Sequence, residues 1–140
     1  MARALVKVVL DTNILISSLI YGQKPQQIEN LILDKNVVGI TSLSLLAEFT
    51  DVLAKKFHFN EFRVKQTEKK IRNNFMLVQP ESTFKILKDD SDNRVLEAAV
   101  EGKCHYIITG DKELLSLGKF KGIKIVKVAE FLDIFYKKAK

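Results

Sequence analysis

Short apolar runs rich in β-branched residues alternate along this chain with longer segments that have helical periodicity. The run Val6–Leu10 is apolar except for Lys7, which is typical of a strand buried on both faces of a sheet. Similar runs predict four further strands, at Val37–Ile40, Phe75–Val78, Tyr106–Thr109 and Ile123–Val126. Strands that alternate with helices predict an α/β fold, here a three-layer α/β/α sandwich with a mainly parallel sheet of about five strands.

The segments between these strands carry helix signals. Apolar side chains recur at three- and four-residue spacing from Leu45 to Leu53, and they predict a long helix that opens at Thr41 and Ser42. Residues 81–91 are predicted to be a loop. The other predicted helices are Asn13–Tyr21, Pro25–Lys35, Asn60–Asn74 with Asn60 as its cap, Asp92–Glu101, Asp111–Leu117 and Val128–Tyr136. No repeat or linker interrupts the pattern, so we expect a single domain over residues 1–140.

Composition excludes several classes of protein. With 46% hydrophobic residues the 140-residue chain can form a core, which excludes intrinsic disorder. The one cysteine, Cys104, excludes a disulfide framework and a four-cysteine zinc site. The apolar N-terminal run is broken by Lys7 and stopped by Asp11, too early for a signal peptide, and no segment is long enough to span a membrane. We therefore expect a cytoplasmic protein.

Four acidic residues stand where the predicted fold has its functional edge. Asp11 follows the first strand and Asp111 follows the Tyr106–Thr109 strand, and ligands of parallel sheets bind beyond the carboxyl ends of strands. Asp92 begins the helix that leads into that second strand. Glu48 lies on the long helix, about 100° from the centre of the apolar stripe and thus at its rim. All four are expected near one edge of the sheet.

A structural explanation exists for each acid by itself, because Asp is a good helix N-cap and a helical Glu is usually a surface residue. The coincidence of four argues for more, since clustered carboxylates repel one another unless a cation neutralises them. Mg²⁺ and Mn²⁺ prefer such oxygen ligands. His58 and His105 are isolated, which leaves no paired imidazoles for zinc.

The motifs around these acids resemble those of the PIN-domain nucleases, in order and in spacing over nearly the whole chain. The matching segments are Leu10-Asp11-Thr12-Asn13, Glu48 in Leu-Leu-Ala-Glu-Phe, Asp92 in Ser-Asp-Asn-Arg-Val-Leu-Glu-Ala-Ala, and Asp111 in Ile-Thr-Gly-Asp. The type most similar to this chain is the small prokaryotic single-domain PIN protein, which is often the toxin of a toxin–antitoxin pair. All four acidic positions of the family are filled.

The resemblance implies a metal-dependent ribonuclease that hydrolyses phosphodiester bonds of single-stranded RNA with Mg²⁺ or Mn²⁺. Asp11 and Asp111 would be the principal metal ligands, and Asp92 would bind a second metal or hold a metal-bound water. Glu48 would orient or deprotonate the attacking water, and it is also the fourth candidate metal ligand. Asn13 and Thr109 are candidates to support the ligands, although both also suit ordinary turns. Asp89 and Asp90 are alternatives to Asp92, and both one and two metals are compatible with the spacing.

A basic segment offers a surface for the substrate. The chain carries 23 Lys and Arg against 17 Asp and Glu, and seven of the cations against two acids fall between Lys55 and Arg72. Such a patch suits a polyanion, though a lysine-rich solvated surface is the plainer explanation. The candidate RNA-binding residues are Lys55, Lys56, Arg63, Lys65 and Lys69. Phe57, Phe59 and Phe62 lie among them and could stack on bases, but aromatic residues at this spacing more often join the core.

Two other functions compete with the nuclease. One is a Mg²⁺-dependent phosphohydrolase with Asp11 as nucleophile, but such enzymes usually carry a second acid where this chain has Asn13. The other is a catalytically idle module that binds RNA or a protein. If the nuclease is a toxin, we expect an antitoxin partner and, as in many PIN proteins of this type, a homodimer. A toxin, an RNA-maturation enzyme and a repair nuclease are equally compatible with the sequence.

Overall fold

The computed structural model describes residues 5–138, with side chains to Lys137. Met1–Ala4 of the N-terminal segment and Lys140 of the basic C-terminal stretch lie outside the described residues. The strands are β1 (Lys7–Leu10), β2 (Val38–Ser42), β3 (Met76–Val78), β4 (Tyr106–Ile108), β5 (Lys119–Phe120) and β6 (Ile123–Val126). The helices are α1 (Thr12–Ile20), α2 (Gln23–Leu33), α3 (Leu43–Lys55), α4 (Glu61–Asn74), α5 (Asp90–Glu101), α6 (Lys112–Leu117) and α7 (Val128–Lys138).

The strands form one sheet in the order β3-β2-β1-β4-β6-β5. Every pairing from β3 to β6 is parallel, and β5 pairs antiparallel with β6. The α/β sandwich predicted from the sequence is thus confirmed, with one strand more than the five predicted. The strand β5 was missed because two residues are too few to show a periodicity.

The central strands bury both of their faces, as the continuous apolar run of β1 predicted. Val8 and Leu10 join a core with α1, α2, α3, α4 and α7, whereas Val9 joins a second core with α5 and α6. In β4, Tyr106 and Ile108 face the first core and Ile107 the second. This alternation places helices over both faces of the sheet, so the loops beyond the strand ends are where a ligand can bind.

Local signals fix the ends of most helices. Asn60 caps α4 as predicted, with its side chain accepting a hydrogen bond from the Arg63 backbone N–H at 2.8 Å. The helix predicted from Asp92 instead begins at Asp90, because Asp89 takes the cap and accepts from the Ser91 N–H. Within residues 5–138 no helix is long and apolar enough to cross a membrane.

Candidate active site

The carboxyl ends of β1 and β4 lie side by side, because Leu10 pairs with Ile108. The next residues along these strands, Asp11 and Thr109, are therefore neighbours. On one side of this point the sheet continues through β2 and β3, and on the other through β6, so the two strand ends mark the position where the chain reverses its order through the sheet. Ligands of open α/β sheets bind at such a point.

Asp11 is 6% exposed and uses both carboxylate oxygens. Oδ1 accepts from the Ile14 N–H at 2.9 Å and caps α1, and Oδ2 accepts from the Thr109 hydroxyl. Burial raises the pKa of Asp11; these two hydrogen bonds lower it, and the carboxylates of Asp111 and Glu48 raise it further. The same side chain thus serves as a helix cap and as a member of an acidic cluster.

Thr109 links the two aspartates that follow the central strands. Its fully buried hydroxyl donates to Asp11, and its oxygen accepts from the Asp111 N–H at 3.0 Å. The carboxylate of Asp111 then caps α6, with Oδ1 accepting from the N–H groups of Glu113 and Leu114. A threonine placed this way holds one carboxylate and the backbone of the other in fixed relation. Asn13 is exposed and lines the cavity wall beside them.

Asp92 lies in the first turn of α5 and is 8% exposed. Its Oδ2 atom is buried without a hydrogen-bond partner among the described residues. Burial, followed by the charges of Asp111, Asp89, Glu113 and Asp11, raises the pKa of Asp92 to about 6. A buried carboxylate oxygen with no hydrogen-bond donor is costly, and the acids that raise its pKa add to that cost, so a bound cation would stabilise it.

The four predicted acids come together around one depression at this edge. Asp11, Asp92 and Asp111 line a cavity of about 780 Å³ and also a smaller one of about 100 Å³. Glu48, half-buried on α3, lines the smaller cavity. Asp89 lines both cavities, whereas Asp90 is exposed and lines neither. The structure therefore sets Asp90 apart from Asp89 and Asp92.

The donor set fits a hard divalent cation, because it offers carboxylate oxygens and the unpartnered Oδ2 of Asp92. Among residues 5–137, however, no three His, Cys, Asp or Glu side chains are close enough together to enclose an ion. In this arrangement the carboxylates of Asp11 and Asp111 are engaged as helix caps.

Other residues line the larger cavity that the sequence analysis did not single out. They are Ile14, Ser17, Lys88, Gly110, Lys112 and Glu113. Two of them carry a positive charge into an acidic cavity. In the sequence these two lysines could have been found only by their position next to acids of the cavity, since Lys88 precedes Asp89 and Lys112 follows Asp111.

The predicted RNA-binding residues lie away from both cavities, and most are already engaged. Lys55 pairs with Asp51 at 3.0 Å and Lys65 with Glu61 at 3.1 Å. Arg63 stacks over the ring of Phe59, 3.7 Å from its centroid. Lys56 and Lys69 are exposed and belong to none of the ion pairs found among residues 5–137. The segment is therefore less positive in effect than its composition indicates.

The aromatic residues of this segment divide in their roles. Phe57 and Phe59 pack against the first core, as the plainer interpretation predicted. Phe62, by contrast, is 69% exposed. Of these three rings, only that of Phe62 is exposed enough to stack on a ligand.

Residues 7–113 match the family model of the PIN domain. This chain belongs to the PIN-domain family. PIN domains are nucleases that generally use divalent metals, which agrees with the acidic cavity. The chain is also 33% identical to an uncharacterized protein of Methanocaldococcus jannaschii, over 98% of this chain and 96% of that protein.

Solved structures share the fold of this PIN domain at low identity. One is VapBC2 from Rickettsia felis bound to a DNA fragment from its promoter, with a TM-score of 0.61 and 13% identity over 87% of this chain and 98% of that one. Another is PAE2754 from Pyrobaculum aerophilum, with a TM-score of 0.60 and 16% identity over 94% of this chain and 90% of that one. At these identities the likeness shows the fold.

Proposed function

We propose that this PIN domain is an endoribonuclease that hydrolyses phosphodiester bonds of single-stranded RNA with Mg²⁺ or Mn²⁺. The observation that carries the proposal is the convergence of Asp11, Glu48, Asp92 and Asp111 on one depression from four separate segments of the chain. Burying unpaired carboxylates lowers the stability of the folded protein, so a cluster of them is typical of a functional site.

In this mechanism Asp11, Asp92 and Asp111 would hold the cation. When bound, the cation would neutralise the cluster, lower the pKa of a water and offset the charge that builds on the phosphate. Glu48 orients the attacking water and takes its proton as the new P–O bond forms and the bond to the leaving oxygen breaks. Thr109 keeps Asp11 in position through its hydrogen bond. Asn13 lines the cavity that the substrate would enter.

We propose that the basic segment binds the RNA backbone outside the cavity. Lys55 follows Glu48 by seven residues on α3, so the two side chains share a helical face about 10 Å apart along the axis. The other residues that we propose for this contact are Lys56, Arg63, Lys65 and Lys69. Contacts of this kind depend strongly on salt and carry little sequence preference.

The partners we propose are those of a toxin: an antitoxin protein and a second copy of the chain, in the cytoplasm. The exposed apolar side chains that we propose for contact with such partners are Tyr21, which is 66% exposed, and Phe62, which is 69% exposed. The solved assembly of VapBC2 shows this fold in a complex that also binds DNA. Co-purification with the product of an adjacent gene tests the antitoxin, and light scattering of the pure chain tests the dimer.

The nuclease proposal is tested by incubating the purified chain with end-labelled single-stranded RNA in Mg²⁺, in Mn²⁺ and in EDTA. We expect cleavage in both metals and none in EDTA. Asp133→Asn removes an exposed acid of α7 outside the cavities and serves as the matched control, with unchanged activity. Cleavage that persists in EDTA, or its absence in both metals at low salt, would contradict the proposal, and RNA binding without cleavage would favour an idle binding module.

Gly110 is a position at which a larger side chain would narrow the cavity. It lies in the wall of the larger cavity, and a Cβ built on it meets no atom within 4 Å. We expect Gly110→Val to lower cleavage by about tenfold or more, because a misplaced phosphate reacts slowly, while the melting temperature is unchanged or higher. Gly110→Ala should have a smaller effect. Equal activity of all three proteins would show that substrate does not enter this cavity.

A further inference from the structure

Two lysines line the acidic cavity without being neutralised by it. Lys88 lies at the end of the segment before α5, and Lys112 is the first residue of α6; both are exposed. Neither ammonium group belongs to an ion pair found among residues 5–137, although five carboxylates line the same cavity. Two positive charges in this wall thus remain available to a ligand, and they lie beside the acids that the cation would neutralise.

Lys88 is held in place by an ordered segment although it has no regular secondary structure. Residues 79–88, which we call the strap, run along α5 in the opposite direction. Side chains at successive turns of α5 accept the strap's backbone N–H groups. The pairs are Glu101 with Glu81 at 2.9 Å, Glu97 with Phe84 at 2.8 Å, and Asn93 with Ile86 at 3.1 Å and Leu87 at 2.9 Å. Acceptors four residues apart share one helical face, so the strap follows α5 closely.

Asn93 fixes the end of the strap that reaches the cavity. It is 1% exposed, and its Nδ2 also donates to the Leu87 carbonyl at 2.8 Å, so one side chain makes three hydrogen bonds directly before Lys88. Farther back, the ring of Phe84 packs edge-on against Phe120 at 5.3 Å. The backbone of Lys88 is therefore positioned at the cavity wall by the residue adjacent to Asp92.

We propose that Lys88 and Lys112 bind phosphate oxygens of the RNA that flank the cleaved bond. This inference rests on the proposed ribonuclease function. An acidic cavity by itself repels a polyanion, and the two ammonium groups supply attraction at the point where the phosphate must approach the carboxylates. A phosphate contact made by a lysine contributes about 0.7 to the slope of log affinity against log salt for a single strand.

The test measures the binding of a fluorescein-labelled single-stranded RNA to the whole chain by anisotropy, in EDTA so that no metal-dependent cleavage occurs, over a range of salt concentrations. We expect Lys88→Ala and Lys112→Ala each to weaken binding by about three- to tenfold and to lower the salt slope by about 0.7. Lys88→Arg should restore most of the affinity. The matched control is Lys85→Ala, since Lys85 is an exposed lysine of the strap that lines neither cavity, and it should bind like the wild type.

Binding by Lys88→Ala and Lys112→Ala that matches Lys85→Ala within twofold would overturn the inference, as would no RNA binding by the wild type at low salt. The cleavage assay separates this failure from that of the proposed function. If the wild type cleaves RNA but neither lysine variant changes RNA binding, the ribonuclease function is supported and the lysine contacts are refuted. If RNA binding depends on the lysines but no cleavage occurs in Mg²⁺ or Mn²⁺, the lysine contacts are supported and the ribonuclease function is refuted.

Discussion

Asp92→Asn is expected to lower RNA cleavage in Mg²⁺ by at least about 100-fold, because it removes the charge from the buried carboxylate best placed to hold a cation. The side chain keeps its size, and its Oδ2 is buried without a hydrogen-bond partner among the described residues. Initial rates of cleavage at saturating RNA and at low RNA separate a loss in the chemical step from a loss in binding.

The same variant is expected to be more stable than the wild type in EDTA. Burial raises the pKa of Asp92 to about 6 in the folded protein, so at neutral pH its charged form destabilises the folded state relative to the unfolded chain. An amide has no charge to desolvate, so we expect the melting temperature to rise by a few degrees. Higher stability with lower activity distinguishes a functional carboxylate from a structural one.

Neighbouring aspartates supply the controls for this variant. Asp90→Asn changes an exposed residue two positions away that lines neither cavity, and it should keep wild-type activity within about twofold. Asp89→Asn should keep the α5 cap, since Asn caps as well as Asp, and lose part of the activity. If Asp90→Asn were inactive and Asp92→Asn active, the assignment of Asp92 to the site would be wrong.

The stability of the cation-free protein is expected to fall as pH rises from about 4 to above 6. Asp11 and Asp92 have their pKa values raised in the folded state, so in this window the folded protein binds more protons than the unfolded chain does. Deprotonation then favours the unfolded chain, and the loss is complete once pH exceeds the folded-state pKa of about 6 for Asp92. Melting temperatures in EDTA across this range measure the effect.

Mg²⁺ or Mn²⁺ should reverse much of that loss at pH 7, because a cation that binds the folded state stabilises it by mass action. Other groups also titrate, so the informative quantity is the difference between the wild type and the double variant Asp11→Asn with Asp92→Asn. We expect this difference to grow with pH in EDTA and to shrink when Mn²⁺ is added. A difference that stays constant with pH would contradict the raised pKa values.

Much of the scaffold could be predicted from the sequence, because its elements are locally consistent. Buried parallel strands appear in the sequence as apolar runs, as β1 does. Ser42 and Asn60 are the N-caps of α3 and α4, which agrees with the helix starts predicted from the sequence. The start of α5 was placed two residues late because three nearby aspartates are all competent caps, and only the backbone geometry selects Asp89.

The features missed depend on contacts between distant segments. Residues 81–91 were predicted to be a loop, and no periodicity reveals that Asn93, Glu97 and Glu101 bind the strap. The basic segment, by contrast, was overestimated for a reason visible in the sequence. Lys55, Lys65 and Arg72 each follow an acid by four residues on a helix, which is the spacing of a local ion pair.

The carboxylates beyond β1 and β4 are expected to hold a divalent cation, and manganese anomalous scattering from crystals soaked in MnCl₂ would locate it. We expect an anomalous peak among Asp11, Asp92 and Asp111, about 2 Å from at least two of their carboxylate oxygens. The peak should be absent from crystals of Asp92→Asn soaked in the same way. A manganese peak elsewhere on the protein, with none in the cavity, would show that these carboxylates are not the metal site.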